Sequence, residues 1–527
     1  MPAPAAEHLD LVLVGLLAAI AALLVLGQAV RVPYPILLVI GGLVVGFVPG
    51  VPHVELRPEL VLTIMLPPLL YSAAFFSSMR DLRAALRPIS ALAIGLVVAT
   101  TLAVAAVAHL AIGLTWPAAF VLGAVVAPTD PVAATAIARR FGIPRRIVTV
   151  VEGESLINDG TALVVYRFAV AAVVAGTFSL PEALLRFVLN GAGGVAIGLA
   201  VGWAVANVRK RIENPPVENS ISLFTSYFAY LPADALGVSG VLAAVTVGIY
   251  MGWRAPEVAS PATRLQGFPV WQILVFMLNC ALFILVGLQL PSILERLSGL
   301  PTGTLLGYAT AVSAVVIGVR IAWVFATDQG VPRLRGRRPT SRWQDSAVVA
   351  WSGMRGAVSL AAALALPFST AAGTPFPHRE LLVFLAFAVI LATLLVQGLT
   401  LPRLICRLGV EEDGTSEREE SKARLKAAKA AIARIDELAG EDWVRDETAE
   451  RMRGAYEYRL NRFRARFDDR DDGGYEERSA AYQRLRREAL EAERRMIVAL
   501  RRQGTINDEV MHRVERDLDL EDSRLEI

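Results

Sequence analysis

Val121-Leu-Gly-Ala-Val-Val-Ala-Pro-Thr-Asp-Pro-Val-Ala-Ala134 is an apolar run interrupted in its middle by two prolines that bracket Thr129 and Asp130. Each proline lacks a backbone N–H and clashes with the turn before it, at a cost of about 3 kcal/mol in a helix interior, so a broken helix is the simpler structure. A break frees backbone carbonyls that can face a cation. Asp130 followed by Pro131 also has the pattern of a helix start, where a carboxylate satisfies orphan N–H groups and offsets the positive end of the dipole. Two roles for Asp130 stand side by side at this point: helix cap and direct ion ligand.

Working outward, the next apolar segment begins Val150-Val-Glu-Gly-Glu-Ser-Leu-Ile-Asn-Asp-Gly-Thr161. Four-residue steps join Ser155 to Asp159 and Glu154 to Asn158, so two neighbouring stripes of oxygen ligands share one side of a helix. Such a cluster suits a hard cation: Asp159 brings charge, Ser155 a hydroxyl, and Asn158 either an oxygen or an orienting amide donor. Polar residues can also tie membrane helices together, but two carboxylates are costly glue. Further on, Trp351-Ser-Gly-Met-Arg-Gly-Ala-Val358 sets Arg355 between two glycines in an apolar stretch. A guanidinium there must meet a carboxylate, for which Glu154 is the candidate, or the carbonyl ends of broken helices. Arg167 and Arg320 read as structural or interfacial.

These segments belong to a membrane protein. Of 527 residues, 54% are hydrophobic and 19% charged, too apolar for a soluble enzyme of this length. Residues 1–410 carry 27 Lys and Arg against 18 Asp and Glu, whereas 411–527 carry 25 against 31. That shift separates a transmembrane domain at 1–410 from a cytoplasmic helical C-terminal domain at 411–527. A bilayer core about 30 Å thick needs roughly 20 helical residues. That ruler gives thirteen spans, near 9–30, 34–49, 58–77, 88–112, 116–138, 147–175, 182–208, 216–233, 237–253, 266–290, 302–326, 345–367 and 380–404. The first apolar run has no basic flank and is long enough to remain as a helix instead of being cleaved as a signal.

Loop charges test the count. Eighteen Lys and Arg lie in loops after odd-numbered spans and four in loops after even-numbered ones, which places the N-terminus outside and the tail in the cytoplasm. An odd total gives two six-span halves, about 9–175 and 216–404, of opposite orientation, the arrangement of an inverted-repeat transporter. Span 12 is then the counterpart of span 5, and its glycines are compatible with a second interruption.

Other signals carry less. Gly191-Ala-Gly-Gly-Val-Ala196 sits inside a span with no strand before it and is no dinucleotide loop; Gly194, Gly198 and Gly202 fit close helix packing. Cys280 and Cys406 read as packing residues, and the five dispersed histidines assemble no metal or hydrolytic site. A membrane enzyme therefore lacks a nucleophile and base, while a tail-gated cation channel stays a competing reading. The tail reads as helices near 416–438, 442–467, 475–503 and 506–520; its arginines alternate with acids, which speaks against nucleic acid.

Ala-Pro-Thr-Asp-Pro at 127–131, Gly-Glu-Ser-Leu-Ile-Asn-Asp at 153–159 and Gly-Met-Arg-Gly-Ala-Val at 353–358 together resemble the monovalent cation:proton antiporter superfamily, in its sodium/proton exchanger branch of bacterial NhaP-type antiporters and animal exchangers. The resemblance covers residues 9–405. It implies a homodimer in the cell membrane, each protomer with a core domain of crossed, unwound helices and a dimerisation domain, working without a cofactor in pH homeostasis. It implies that Asp159 is the shared site for Na+ and H+, that Asn158, Ser155, Asp130 and the backbone at Thr129 help form it, and that Glu154 pairs with Arg355. The Asn-Asp pair resembles the electroneutral pattern of one cation per proton, with lithium or potassium as alternative cations. Physically, burial favours the protonated carboxyl and a bound cation favours the ionised one, so the two ions compete.

Overall fold

The computed structural model describes residues 33–48, 60–175, 180–297, 299–334, 341–465, 475–523 and 525, with scattered positions between 15 and 27. The expected span at 9–30 lies mostly outside these residues. Among the described residues the chain is helical, without a strand and with one isolated bridge, Ser369 to Pro375. It divides into two compact units, Met1–Glu412 and Asp413–Ile527.

The first unit runs through α1 (Tyr34–Gly46), α2 (Leu66–Phe75), α3 (Leu86–Leu110), α4 (Trp116–Val126), α5 (Val132–Phe141), α6 (Arg145–Ala175), α7 (Leu180–Arg209), α8 (Pro215–Ala235), α9 (Gly240–Val258), α10 (Pro261–Leu288), α11 (Thr302–Phe325), α12 (Trp343–Trp351), α13 (Ala357–Leu364) and α14 (Arg379–Leu408). Local chemistry sets several starts. Asn214, Ser239 and Ser260 cap α8, α9 and α10 by accepting from the amides of Val217, Leu242 and Thr263, with proline at the first position of α8 and α10. Six helices among the described residues are long and apolar enough to cross a bilayer: Leu86–Leu110, Arg145–Val174, Leu185–Arg209, Pro261–Arg296, Thr302–Leu334 and Arg379–Leu408. Large apolar side chains such as Trp203, Val188 and Ile273 point outward from them. That exposure is costly in water and natural against lipid.

Buried apolar side chains form a large cluster drawn mainly from α3–α6 and α10–α14, a smaller one drawn from α2 and α7–α10, and a third, with Leu70, Leu156 and Val241, that joins α2, α6, α8 and α9. In the smaller bundle α7 lies tightly on α9. A methyl added at Gly194 or Gly198 would sit 2.4 Å from the Ser239 carbonyl or 2.6 Å from that of Ala243, so these glycines serve close packing, as their spacing suggests. The bundle also buries a charge pair: Arg209 stands 3.6 Å from Glu218, which accepts from the Thr263 hydroxyl at 3.0 Å. Cys280 is buried, but Cys406 is exposed, a correction to its expected role as a packing residue.

The second unit holds α15 (Thr415–Leu438), α16 (Asp446–Ala465), α17 (Tyr475–Arg502) and α18 (Asp508–Ser523). α15 pairs with α16, and α17 with α18. Leu490, Leu518 and Leu525 make a small core under α17, flanked by Arg494 reaching Asp519 at 2.6 Å and Asp522 at 3.1 Å.

Candidate ion-binding site

Both expected interruptions are present. The backbone leaves the helix between Val126 and Val132, and again between Trp351 and Ala357. The two breaks touch: the Asp130 amide donates to the Met354 carbonyl at 2.8 Å. Gly356 abuts the Asp130 side chain so closely that a Cβ there would fall 1.8 Å from Oδ2. Asp130 Oδ1 accepts from the Val132 amide at 2.9 Å. Asp130 therefore caps the start of α5 and lies beside the start of α13, between two positive helix ends.

The two negative ends are met by arginines. Arg355, fully buried, donates from Nε to the Val126 carbonyl at 3.0 Å and from Nη1 to the Gly353 carbonyl, and its amide donates to Thr393 Oγ1 at 3.1 Å. Arg320, also fully buried, donates from Nε to the Ala350 carbonyl at 3.2 Å and from Nη2 to the Val349 carbonyl at 3.0 Å. The same guanidinium grips Glu154 in a fork, Nη1 to Oε1 at 2.5 Å and Nη2 to Oε2 at 2.9 Å. The expected pairing of Glu154 with Arg355 is thus corrected to Glu154 with Arg320. The reason is steric and electrostatic. Gly353 lacks the Cβ that would sit 2.1 Å from Arg320 Cδ, which lets Arg320 reach the carbonyl end of α12 and Glu154 together, while Arg355 is engaged on the end of α4. Arg355 takes the other option open to it, the carbonyls of a broken helix.

Around this pair the polar residues interlock. Thr129 Oγ1 donates to Glu154 Oε1 at 3.0 Å and accepts from Asn158 Nδ2 at 2.8 Å. Asn158 Oδ1 is buried with no partner. Asp159 is 6% exposed and has no hydrogen-bond or ion-pair partner among the described residues; the charged group acting on it is Asp130. Ser155 is buried one turn before Asp159 on α6, and no hydrogen bond among the described residues ties it to the others. Of the expected site residues, direct bonds join Thr129, Glu154 and Asn158; the contact of the two breaks brings Asp130 to them, and Arg355 holds the end of α4. Arg320 has the structural role read from the sequence, but its place at this site, as the partner of Glu154, was not foreseen. Its signal was a lone arginine in an apolar span with no acid of its own.

The charges can be summed. Asp130, Glu154 and Asp159 face Arg320 and Arg355, and the two positive helix ends offset the two negative ones. With every carboxylate ionised the site carries one net negative charge, so a single monovalent cation or a single proton neutralises it. A narrow cleft lined by Thr135, Val151, Val348, Ser352 and Ile405 lies beside it, between α5, α6, α12 and α14.

A helical membrane bundle that holds a net-negative acid cluster at two helix breaks is a secondary ion transporter. The chain belongs to the family of transmembrane sodium/hydrogen exchangers, whose sequence profile matches residues 15–406. It is 39% identical to an uncharacterized Na(+)/H(+) exchanger of Mycobacterium tuberculosis over 98% of this chain and 96% of that one. It is 35% identical to the Na(+)/H(+) antiporter ApNhaP of Aphanothece halophytica over 77% of this chain and 75% of that one. The solved structure of the sodium proton antiporter MjNhaP1 from Methanocaldococcus jannaschii superposes with a TM-score of 0.60 at 19% identity, covering 76% of this chain and 99% of that one, and shares the fold.

Proposed function

We propose that this protein exchanges sodium for protons, one for one, by letting the two ions compete for Asp159. The observation that carries the reading is the charge sum: an acid cluster one charge short of neutral, with an unpartnered carboxylate at Asp159 and an unpartnered oxygen on Asn158. Protonation or sodium binding completes the neutralisation, and neutrality lowers the cost of moving the site through a low-dielectric interior. The empty, charged site stays put, so the ions move only in exchange. Asp159 and Asn158 contribute oxygens to the cation, as do Ser155, Asp130 and the Thr129 carbonyl, which accepts no hydrogen bond among the described residues. Glu154 and Arg320 hold the ends of the broken helices in register, with Arg355.

In this reading residues 1–410 form a membrane domain of thirteen spans in two inverted repeats, supported by the matched interruptions seven spans apart. The N-terminus is outside and residues 411–527 form a cytoplasmic helical domain, supported by the loop charges. The two larger apolar clusters fit a core domain beside a dimerisation domain, in a homodimer of the cell membrane. Sodium is the cation that the names of these relatives share, ApNhaP among them; the antiporters of Bacillus pumilus and Bacillus subtilis, 33% and 32% identical, are named for potassium, lithium and rubidium as well. The test is proton flux in proteoliposomes under gradients of each alkali cation. A sodium gradient is expected to drive protons the opposite way at a rate unaffected by clamping the voltage, and Asp159→Asn is expected to stop exchange while still folding in the membrane. Alkali-ion flux without opposing protons would overturn the reading.

A further inference from the structure

The second unit leaves one face of α17 uncovered. α18 packs against the side that carries Leu490 and Arg494, with Leu490 buried. One step around the helix runs a second stripe, Tyr482, Leu485, Ala489, Ala492, Met496 and Ala499, at alternating steps of three and four residues. Tyr482 is 51% exposed, Leu485 71% and Met496 60%, the two alanines between them are exposed, and Ala499 is half-buried. Tyr482 has a ring neighbour in Tyr458 of α16, at 5.5 Å between centroids. A three-four spacing on a charged helix is the seam of a two-helix coiled coil, and one helix alone cannot bury it.

We infer that this stripe is the contact between the cytoplasmic units of two copies of the chain, with the two α17 helices antiparallel about a two-fold axis. The flanking charges choose the partner and its direction. In an antiparallel pair centred between Ala489 and Ala492, Ala489 faces the partner's Ala492, Leu485 faces the partner's Met496, and Tyr482 faces the partner's Ala499. Every large residue then meets a smaller or flexible one, and the small centre lets the helices approach closely. The same register sets Arg486 beside the partner's Glu493 and Glu488 beside the partner's Arg495, opposite charges on both flanks and twice over by symmetry. Parallel pairing would set Glu488 beside the partner's Glu493, two like charges. Arg486 already reaches Glu521 at 3.3 Å on α18, so it can bridge both. The surface is self-complementary in one direction only, which a membrane or an unrelated protein does not require. This contact is independent of how the membrane unit transports ions.

The test uses the full chain in native membrane vesicles, with Cys280→Ala and Cys406→Ser removing the native thiols. Under mild oxidation Leu485→Cys combined with Met496→Cys is expected to give a covalent dimer on a non-reducing gel, while Leu485→Cys alone is not. The two thiols sit eleven residues apart on one rigid helix and cannot reach each other within a chain. Arg486→Glu in the double-cysteine background is expected to lower the dimer yield about fivefold, and adding Glu493→Arg to restore it. Sodium-driven proton flux, at the wild-type level throughout, reports folding. Cross-linking by Leu485→Cys alone, or a double variant that stays monomeric, would overturn the proposal. Shielding of the introduced thiols from a hydrophilic maleimide without cross-linking would do the same, because it assigns the stripe to another occupant.

Discussion

A carboxylate and a guanidinium brought together into an apolar interior repay their lost hydration only when the geometry is good, and the fork between Glu154 and Arg320 meets that condition. Removing one partner leaves the other charged and unpaired, which costs about 3–5 kcal/mol. In detergent, Arg320→Met is therefore expected to lower the thermal midpoint sharply, and a double-mutant cycle with Glu154→Gln to show strong coupling. The matching cycle of Glu154→Gln with Arg355→Met is expected to show weaker coupling; equal coupling would restore the pairing read from the sequence. Thr129→Val removes both a donor to Glu154 and an acceptor for the Asn158 amide, so a loss of about 1–3 kcal/mol is expected in the same measurement. The kind of residue needed at each of these places was legible in the sequence, because an acid or an arginine inside an apolar run announces itself. Which arginine meets Glu154 was not. That choice depends on the space left by Gly353 and on the line of approach of α11, both of them tertiary facts.

Helix breaks are written locally, and this protein shows two grades of legibility. Pro128 and Pro131 enforce the first interruption whatever surrounds them, so it could be placed to within a residue or two. The second, between Trp351 and Ala357, is spelled by glycines that merely allow it, and its location follows from contact with the first. Gly356 is the hinge of that contact. Gly356→Ala would drive a methyl into the Asp130 carboxylate and is expected to cut sodium-driven proton flux roughly a hundredfold, on the scale of an ångström-size misplacement in a preorganised site. Gly303→Ala, on a helix with nothing within 4 Å of the added methyl, is expected to leave flux unchanged. Comparable losses in both would mean that the close approach of the two breaks does not matter.

At the scale of the molecule, the site carries one net negative charge with its carboxylates ionised, within a low-dielectric bundle, and on the proposed mechanism its pH dependence follows by mass action. If Asp159 is the shared site, as proposed, lowering the pH fills it with a proton and removes it as a sodium ligand, so the sodium concentration for half-maximal exchange is expected to rise about tenfold per pH unit once protonation dominates. Raising the pH frees the carboxylate for sodium but starves the return step of protons, so exchange is expected to peak between the two limits. Exchange that stops at low pH with unchanged sodium affinity would mean that protons do not compete with sodium at this site. The all-helical character and the membrane setting were legible from composition and apolar run length, because lipid permits few alternatives. The grouping of the helices into packed clusters was not, since every apolar face satisfies lipid and protein alike.

The central claim, that Asp159 holds a proton or a sodium ion but never both, is tested most directly by adding sodium to solubilised protein in a lightly buffered solution and following proton release. The account predicts close to one proton released per sodium ion bound at the acid end of the working pH range, where the free site is protonated, a fraction that falls as the pH rises, and no release from Asp159→Asn. Sodium binding at full affinity without proton release, or unchanged release from Asp159→Asn, would contradict it.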